Sequence, residues 1–226
     1  MPRPARPSTF NIQPSTAPVR ALRPILVCFA GGSASGKSTI TAALAERLAG
    51  RSLAVINSDH YFRDWTSDEE LRSANRPDAV LWPALIADLD RLMAGQEIEL
   101  PAAGTRSAAR GSEPWRVQAR DLVMLEGLLT LWSDELRARC DLAVYVDAPD
   151  DERVLRRINR DIAQRGATVE SATAWYRHDV RPSFARFTEP SKWRADLIVP
   201  NPGTTGPSPA SIAALAAAIE ALIQAR

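Results

Sequence analysis

The fold is decided by the stretch Val27–Ile40, which reads VCFAGGSASGKSTI. Within it, Gly31, Gly36, Lys37 and Ser38 match the phosphate-loop pattern G-x-x-x-x-G-K-[ST]. A buried-strand pattern precedes the loop, and an amphipathic helical pattern follows it. In that order the glycines let backbone N–H groups turn toward a phosphate, and the helix N-terminus adds its positive end. The stretch therefore predicts a nucleotide-binding P-loop. A chance glycine-rich turn is the alternative, which the strand–loop–helix context disfavours.

The chemistry of the loop assigns a role to two of its side chains. Lys37 is predicted to bridge the β- and γ-phosphates of a nucleotide, and Ser38 is predicted to ligate Mg²⁺. Lysine is rare elsewhere, since 26 of the 28 basic residues are arginine and Lys192 is the only other lysine. The residues predicted to bind the nucleotide are Gly31, Gly32, Ser33, Ala34, Ser35, Gly36, Lys37, Ser38 and Thr39.

Length and composition limit the class of protein. The chain has 226 residues, 45% of them hydrophobic and 24% charged, which suits one α/β domain with a full core. A formal net charge of +1 gives no reason to expect a nucleic acid or an anionic membrane as partner. Cys28 and Cys140 each adjoin an apolar run, so we expect two buried small residues, no disulfide framework and a reducing compartment, the cytoplasm.

Two regions differ in composition. Residues 1–24 hold six prolines with no apolar period, so residues 1–23 are predicted to form a disordered or extended arm. This arm is either a solvated leader or a partner-binding tail. The rest of the chain, residues 24–226, is predicted to form the P-loop domain.

Strand and helix patterns alternate through residues 24–226. Such alternation predicts an α/β fold in which helices flank a central parallel sheet. Residues 101–118 are rich in Gly, Ala and Arg and are expected to form a loop. The predicted strands are 25–30, 53–59, 121–127, 140–148 and 195–200, and the predicted helices are 38–50, 83–94, 133–139, 150–166, 171–187 (bent near a proline) and 211–223.

Two acidic residues end predicted strands. In an open α/β sheet functional groups gather at the carboxyl ends of the strands, where Asp59 and Glu126 stand. A kinase needs a carboxylate to take the proton of the acceptor hydroxyl, and acidic side chains to hold Mg²⁺. We therefore predict Asp59 as the base, and Ser38, Glu126 and Asp59 as the metal-binding set. The alternative is that each carboxylate merely caps the next element.

The run RRINRDIAQRG concentrates positive charge on one predicted helix. It contains Arg156, Arg157, Arg160 and Arg165 within about three helical turns. A solvated helix face is the ordinary explanation, but too few acidic residues are nearby to pair all four arginines. A phosphoryl-transfer transition state needs such cations, so an arginine-rich helical lid is predicted. The predicted catalytic residues are thus Lys37, Asp59, Arg160 and Arg165.

An ordered series of motifs carries a resemblance to a known family. The segments GGSASGKST, INSDHYFRD, RPDA, VMLEGLL, DLAVYVD, RRINRDIAQRG and F-x-EPSKWRADLIVP occur in the order found in uridine kinases. The chain therefore resembles the uridine kinase family from residue 24 to about residue 201, which implies a nucleoside-kinase-like P-loop fold. The resemblance implies the same base and metal roles for Asp59 and Glu126. It also implies that Arg157 reaches the sugar hydroxyls and that Arg160 and Arg165 serve the transferred phosphate.

One segment departs from the family pattern. Uridine kinases carry a pattern similar to P-x-Y-D-F-x-x-H-x-R, and the corresponding stretch of this chain is PAAGTRSAAR. Pro101 and Arg110 remain, but Ala103, Thr105 and Ala108 replace the Tyr, Phe and His that read the pyrimidine. A site without those donors and that ring cannot read uracil in the same way. The residues expected to transfer the phosphate are retained, whereas the residues expected to recognise the acceptor base are replaced.

Three further positions of the acceptor half also differ. The family's Asp-His-Pro-Asp appears as NRPD, with Asn75 and Arg76, and Trp175 stands where a Gln is expected. Arg76, Arg106 and Arg110 are candidates for a cationic pocket, and Trp115 or Trp175 for stacking on a ring. Surface arginines and core tryptophans are the alternative. The predicted substrate-binding residues are Asp59, Asn75, Arg110, Arg157 and Trp175.

The sequence therefore predicts a kinase that transfers the γ-phosphate of ATP to a primary hydroxyl of a small molecule. A nucleoside or another ribosyl compound is the favoured acceptor, with ATP and Mg²⁺ as cofactors and neither nucleic acid nor membrane as partner. A homo-oligomer is left open. Two other functions remain: a nucleotide-binding regulator that has lost its acceptor, and a P-loop ATPase or GTPase acting on a macromolecule.

Overall fold

A parallel five-stranded sheet organises the molecule. The computed structural model describes residues 23–64, 73–203 and 206–226, so the predicted arm lies outside the described residues except for Arg23. The sheet strands are β1 (Ile25–Ala30), β2 (Leu53–Asn57), β5 (Leu122–Glu126), β6 (Leu142–Asp147) and β7 (Leu197–Pro200), and a separate hairpin contains β3 (Ile98–Leu100) and β4 (Trp115–Val117).

The sheet order is β2-β5-β1-β6-β7, and every neighbouring pair is parallel. All residues of β1 and β5 are buried because helices cover both faces, which explains their unbroken apolar sequences. The register pairs Phe29 of β1 and Asn57 of β2 with Glu126 of β5. The carboxyl ends of these three strands therefore meet at one edge of the sheet, which confirms the predicted α/β P-loop class.

Helices cover both faces of the sheet. Helix α1 packs against α8 on one face, over a core that includes Ile40, Leu44 and Leu215. Helix α2 covers the other face through Leu85 and Leu89. The helices are α1 (Lys37–Arg47), α2 (Trp82–Met93), α3 (Arg106–Ala109), α4 (Asp134–Arg137), α5 (Asp150–Arg165), α6 (Val169–Trp175), α7 (Arg181–Ser183) and α8 (Pro209–Gln224).

The helix predicted at 171–187 extends beyond both predicted ends and is less regular than predicted. Helix α6 continues into π-helical Tyr176–Val180, the α-turn α7, π-helical Phe184–Thr188 and the 3₁₀ turn Glu189–Arg194. Pro182 lies in α7, between the two π segments. Proline cannot donate an i→i−4 bond, and wide turns on both sides relieve its clash with the preceding backbone.

The loop expected at 101–118 contains structure that the sequence did not reveal. Strand β3 pairs antiparallel with β4, and α3 lies between them. Arg116 forms an ion pair with Glu97 at 2.9 Å beside this pairing. Each strand has three residues and β4 is largely exposed, so no apolar alternation marks the hairpin.

The expectation for the cysteines is wrong in one respect. Cys28 is fully buried in β1 and Cys140 is partly buried ahead of β6, but the two are joined in a disulfide. The residues are 112 positions apart and meet only because β1 pairs with β6. Sequence spacing therefore carries no sign of the bond.

Helix length and polarity bear on membrane association. Among the residues that the structure describes, no helix is long and apolar enough to cross a bilayer.

Candidate active site

The loop between β1 and α1 is shaped by its glycines. Gly36 adopts a left-handed conformation (φ 97°) immediately before α1, and Gly31 has a φ of 149°. A Cβ on Gly31 would collide with the carbonyl oxygen of Val146 in the neighbouring strand β6. The backbone thus comes closer to the sheet than a side chain would allow, and the loop ends on the N-terminus of α1.

Lys37 lies folded over this loop. Its Nζ donates hydrogen bonds to the carbonyl oxygens of Gly31 (2.9 Å) and Gly32 (3.0 Å). Burial lowers the pKa of the Lys37 amine to about 8, although the carboxylates of Glu126 and Asp59 act in the opposite direction. A phosphate that approaches the loop would restore the anionic partner that this buried amine lacks.

Three polar side chains connect the ends of β2, β5 and α1. Ser38 Oγ donates to Glu126 Oε2 at 2.8 Å, and Asn57 Nδ2 donates to Glu126 Oε1 at 3.4 Å. Burial raises the pKa of the Glu126 carboxyl, which the Ser38 hydrogen bond partly offsets. Asn57 was not predicted as a site residue, because a single Asn at a strand end has no distinctive pattern.

Asp59 does not lie in β2, contrary to the predicted strand 53–59. The strand ends at Asn57, and a 3₁₀ turn (Ser58–Tyr61) carries Asp59. Asn57 Oδ1 accepts the backbone N–H of Asp59 at 2.8 Å, which starts that turn. The Asp59 side chain is exposed and lines the same cleft as Lys37 and Glu126.

The arginine helix α5 reaches the phosphate loop. Ser33 Oγ accepts hydrogen bonds from Arg157 (2.6 Å) and Arg160 (3.2 Å). Asp161, which is 6% exposed, pairs with Arg157 at 2.8 Å and with Arg165 at 3.2 Å. Burial and the neighbouring guanidinium groups of Arg157 and Arg165 lower the pKa of Arg160. Arg160 lies 3.8 Å from the same carboxylate, so Asp161 is within ion-pair distance of three cations beside the loop.

Two residues that the sequence analysis did not select hold the loop from behind. Arg153, 2% exposed, donates to Ala148 O at 3.2 Å and stacks on Phe184 at 3.8 Å, and both side chains lie so close to Gly32 that a Cβ there would collide with the Arg153 guanidinium. Asn201, which follows β7, donates to Ser35 O at 2.7 Å. The loop conformation is thus supported by α5 and by the end of the fifth sheet strand, contacts that connect distant parts of the sequence.

The opposite end of the site is formed by the second half of the chain together with a short segment after β2. Asn75 is 7% exposed, and its Nδ2 donates to Asp179 in the first π-helical segment at 2.5 Å. Trp175 lies one turn before Asp179 and also lines the cleft. The Arg106 guanidinium lies over the Phe62 ring at 5.4 Å.

These groups converge on one cleft of about 1040 Å³. Gly31, Gly32 and Ser35 support the loop without lining the cleft, and Arg76 and Trp115 also lie elsewhere, near Asp78 and His60. The cleft additionally contains Asn57, Phe62, Arg106 and Arg156. The predicted site residues that line it are Ser33, Ala34, Gly36, Lys37, Ser38, Thr39, Asp59, Asn75, Arg110, Glu126, Arg157, Arg160, Arg165 and Trp175.

The oxygen atoms at the loop fit a magnesium ion that is held jointly with phosphates. Mg²⁺ prefers oxygen ligands and commonly takes one or two carboxylates, substrate phosphates and waters. Ser38 Oγ and the buried Glu126 carboxylate, already 2.8 Å apart, supply such a donor set. Within the described ranges no group of three or more His, Cys, Asp or Glu side chains could hold a metal by itself.

Comparison with known proteins assigns the chain to a family. The model of the phosphoribulokinase/uridine kinase family matches residues 26–206. The chain belongs to that family. A uridine kinase of Deinococcus deserti is 38% identical over 192 residues, covering 83% of this chain and 92% of the relative. A uridine kinase of Chloroflexus aurantiacus is 36% identical, covering 89% and 97%. The resemblance seen in the sequence is confirmed, and the chain is a phosphotransferase that acts on a hydroxyl group.

Solved structures agree on the fold. The phosphoribulokinase of Rhodobacter spheroides superposes with a TM-score of 0.61 at 17% identity, covering 80% of this chain and 70% of that one. The D-glycerate 3-kinase of Cryptococcus neoformans superposes with a TM-score of 0.56 at 17% identity, covering 79% and 86%. These two kinases therefore share the fold of this chain.

Proposed function

We propose that this family member transfers the γ-phosphate of ATP to a primary hydroxyl of a nucleoside or another ribosyl compound in the cytoplasm. The observation that carries the proposal is the convergence of Lys37, Asp59, Glu126 and the α5 arginines on one cleft. A nucleotide-binding regulator needs the phosphate loop but has no use for a carboxylate beside it at the acceptor side.

The donor half consists of the loop, α1 and α5. Backbone N–H groups of the loop and Lys37 hold the phosphates, and Arg160 and Arg165 compensate charge on the transferred group. Ser38 and Glu126 would hold Mg²⁺, which supplies Lewis-acid polarisation of the phosphate oxygens when bound. A preorganised cationic environment of this kind costs no reorganisation when the transition state forms.

Asp59 acts on the acceptor. Its carboxylate takes the proton of the acceptor hydroxyl while the new oxygen–phosphorus bond forms and the bond from the γ-phosphorus to the β,γ-bridging oxygen breaks, releasing ADP. The side chain suits this task because it is exposed in the cleft while Asn57 fixes its backbone. Arg157, Asn75 and Trp175 are proposed to contact the rest of the acceptor.

ADP release with Mg·ATP tests the proposal. The panel contains uridine, cytidine, purine nucleosides, other ribosides, pantothenate and small sugar alcohols, each compared with a blank that lacks an acceptor. We expect at least one hydroxyl compound to stimulate ADP release well above the blank, and Lys37→Met to abolish that stimulation. Nucleotide binding with no turnover on any acceptor would favour the regulator, and sustained hydrolysis in the blank would favour an ATPase.

A further inference from the structure

The cleft has a large excess of positive charge. Among the described residues that line it, seven are cationic and only Asp59 and Glu126 are acidic. The whole chain has a net charge of +1, so the positive charge is concentrated here. Asp161, behind the lid, offsets part of the charge of α5. An Mg²⁺–triphosphate complex is itself partly neutralised by its metal and leaves positive charge uncompensated.

Two of these cations belong to the acceptor side. Arg106 is the first residue of α3, and Arg110 caps its C-terminal end, four positions later. Helix α3 is fixed to the segment that carries Asp59, because the Arg106 N–H donates to Phe62 O at 2.8 Å. The backbone that presents the predicted base therefore also presents these two guanidinium groups.

Within the described residues, no carboxylate lies within ion-pair distance of the guanidinium groups of Arg106 and Arg110. In the part of the chain that the structure describes, neither forms an ion pair or a side-chain hydrogen bond, whereas Arg116, Arg137, Arg139 and Arg157 all do. Burial and the nearby charges of Arg110 and Arg165 lower the pKa of Arg106, despite the opposing effects of Asp59 and Asp64. A half-buried cation with like-charged neighbours is stabilised when an anion binds.

We propose that the acceptor carries an anionic group, a carboxylate or a phosphate, which binds Arg106 and Arg110 while the acceptor hydroxyl lies at Asp59. This inference rests on the proposed kinase function and narrows its substrate class. Arg106 occupies a position where the uridine kinase pattern specifies no residue type, and α3 replaces the segment that would read a pyrimidine. The anion takes over the orienting role of those lost base contacts.

Acceptors that differ mainly in whether they carry an anionic group test this proposal directly. One series is uridine, orotidine (a carboxylate) and uridine 3′-monophosphate (a phosphate), all with a free 5′-hydroxyl, and the other is pantothenol and pantothenate. We expect kcat/KM to be at least tenfold higher for an anionic member than for its neutral counterpart, because charge-assisted arginine contacts are strong. The orotidine and 3′-monophosphate arms distinguish a carboxylate from a phosphate. The preference should shrink as salt increases.

Variants test whether Arg106 and Arg110 cause the preference for anionic acceptors. Arg106→Gln and, separately, the more exposed Arg110→Gln should each lower the anionic-to-neutral ratio of kcat/KM about tenfold, mainly through KM of the acceptor. Arg116→Gln, a surface arginine paired with Glu97 outside the cleft, should leave the ratio unchanged. Circular dichroism confirms that each variant is folded.

The outcomes separate this inference from the proposed function. Turnover of neutral acceptors at rates equal to or above those of their anionic counterparts overturns the anionic acceptor and leaves the kinase assignment standing. A rise in KM for ATP that is equal for all acceptors in Arg106→Gln would assign that arginine to the donor and overturn the inference as well. ADP release that never exceeds the blank overturns both.

Discussion

Asn57 connects the two carboxylates of the site through both ends of its amide. Its Nδ2 donates to Glu126 Oε1 and its Oδ1 accepts the N–H of Asp59. Rotation of the amide would exchange donor and acceptor and lose both contacts. Asp59, the proposed base, and Glu126, the proposed metal ligand, are therefore positioned by one short side chain at the end of β2.

Asp59→Asn tests the assignment of the base. The variant keeps the size of the side chain and removes its ability to accept a proton, so we expect kcat to fall by about 10²–10⁴. The dissociation constant for ATP, measured by calorimetry, should stay nearly unchanged. Asp78→Asn, an exposed carboxylate paired with Arg76, serves as the control. Wild-type turnover in Asp59→Asn would show that another group takes the proton.

The buried pair of Asn75 and Asp179 predicts a charge effect on stability. Asn75→Asp, which restores the first residue of the family's Asp-His-Pro-Asp, would place two carboxylates within hydrogen-bonding distance. Like charges in a buried site should raise one carboxyl pKa and lower the free energy of unfolding at pH 7.5 by about 1–3 kcal/mol. That loss should shrink as the pH falls and vanish below about pH 3, where the carboxyl groups of the unfolded chain are protonated too.

The double variant Asn75→Asp/Asp179→Asn is the matched control for that prediction. It exchanges the two residue types and keeps one carboxylate and one amide in contact. Denaturant titration should show that the double variant recovers most of the lost stability. Equal losses in the single and double variants would mean that steric misfit, and not charge, sets the cost.

At the scale of elements, the carboxyl end of β5 packs directly on the 3₁₀ turn after β2. Gly127 follows Glu126, and a Cβ there would collide with the side chains of Ser58 and Thr130. Ser58 immediately precedes Asp59, so any outward movement of this turn also moves the base. The lack of a side chain at Gly127 therefore determines how close the turn that carries Asp59 lies to the end of β5, where Glu126 is.

Gly127→Ala should therefore impair catalysis more than folding. The added methyl group forces the turn Ser58–Tyr61 outward, and a displacement of about 1 Å can cost roughly 10²-fold in rate. Gly50→Ala, where a Cβ would meet nothing within 4 Å, is the control. Steady-state kinetics and thermal unfolding on both variants check this. Unchanged kcat in a folded Gly127→Ala would show that the turn yields without moving Asp59.

The sequence predicts these elements unevenly. The five strands of the main sheet and the phosphate loop are predicted at their places in the chain, because buried parallel strands read as apolar runs and the loop has a fixed spacing of glycines. The end of β2 is wrong, since the strand stops at Asn57 and not at Asp59. The hairpin of β3 and β4 is missed because its strands are short and β4 is mostly exposed. Asn57, Arg153 and Asn201 are missed because each acts through a contact with a residue far away in the sequence.

At the scale of the whole molecule, one point near the start of β6 joins distant parts of the chain. Cys140 is bonded to Cys28 of β1, and the adjacent Asp141 pairs with Arg23 at 2.6 Å and with Arg226 at 3.1 Å. Asp141 also accepts the N–H of Leu26 at 2.8 Å. The first and last described residues are therefore both tied to the central sheet at this point.

Reduction of the Cys28–Cys140 bond should lower the free energy of unfolding of the protein. The bond closes a loop across a separation of 112 residues, for which loop-closure entropy suggests about 5 kcal/mol. We expect a fall in Tm of roughly 10 °C on addition of a phosphine reductant. Cys140→Ala should have the lower Tm with or without reductant. Two free thiols in wild-type protein purified without reductant, together with a Tm that reductant does not change, would contradict this prediction.

Because the sequence contains two lysines, reagents that modify side-chain amines have only two sites to react with. Its two ε-amines are Lys37, whose lowered pKa of about 8 leaves much of it uncharged in mildly alkaline buffer, and Lys192, which is paired with Asp147 at 2.6 Å. An acylating reagent will therefore report on the phosphate loop with little background from the arginine-covered surface. The extent of labelling at Lys37, followed by mass spectrometry, becomes a direct measure of nucleotide occupancy.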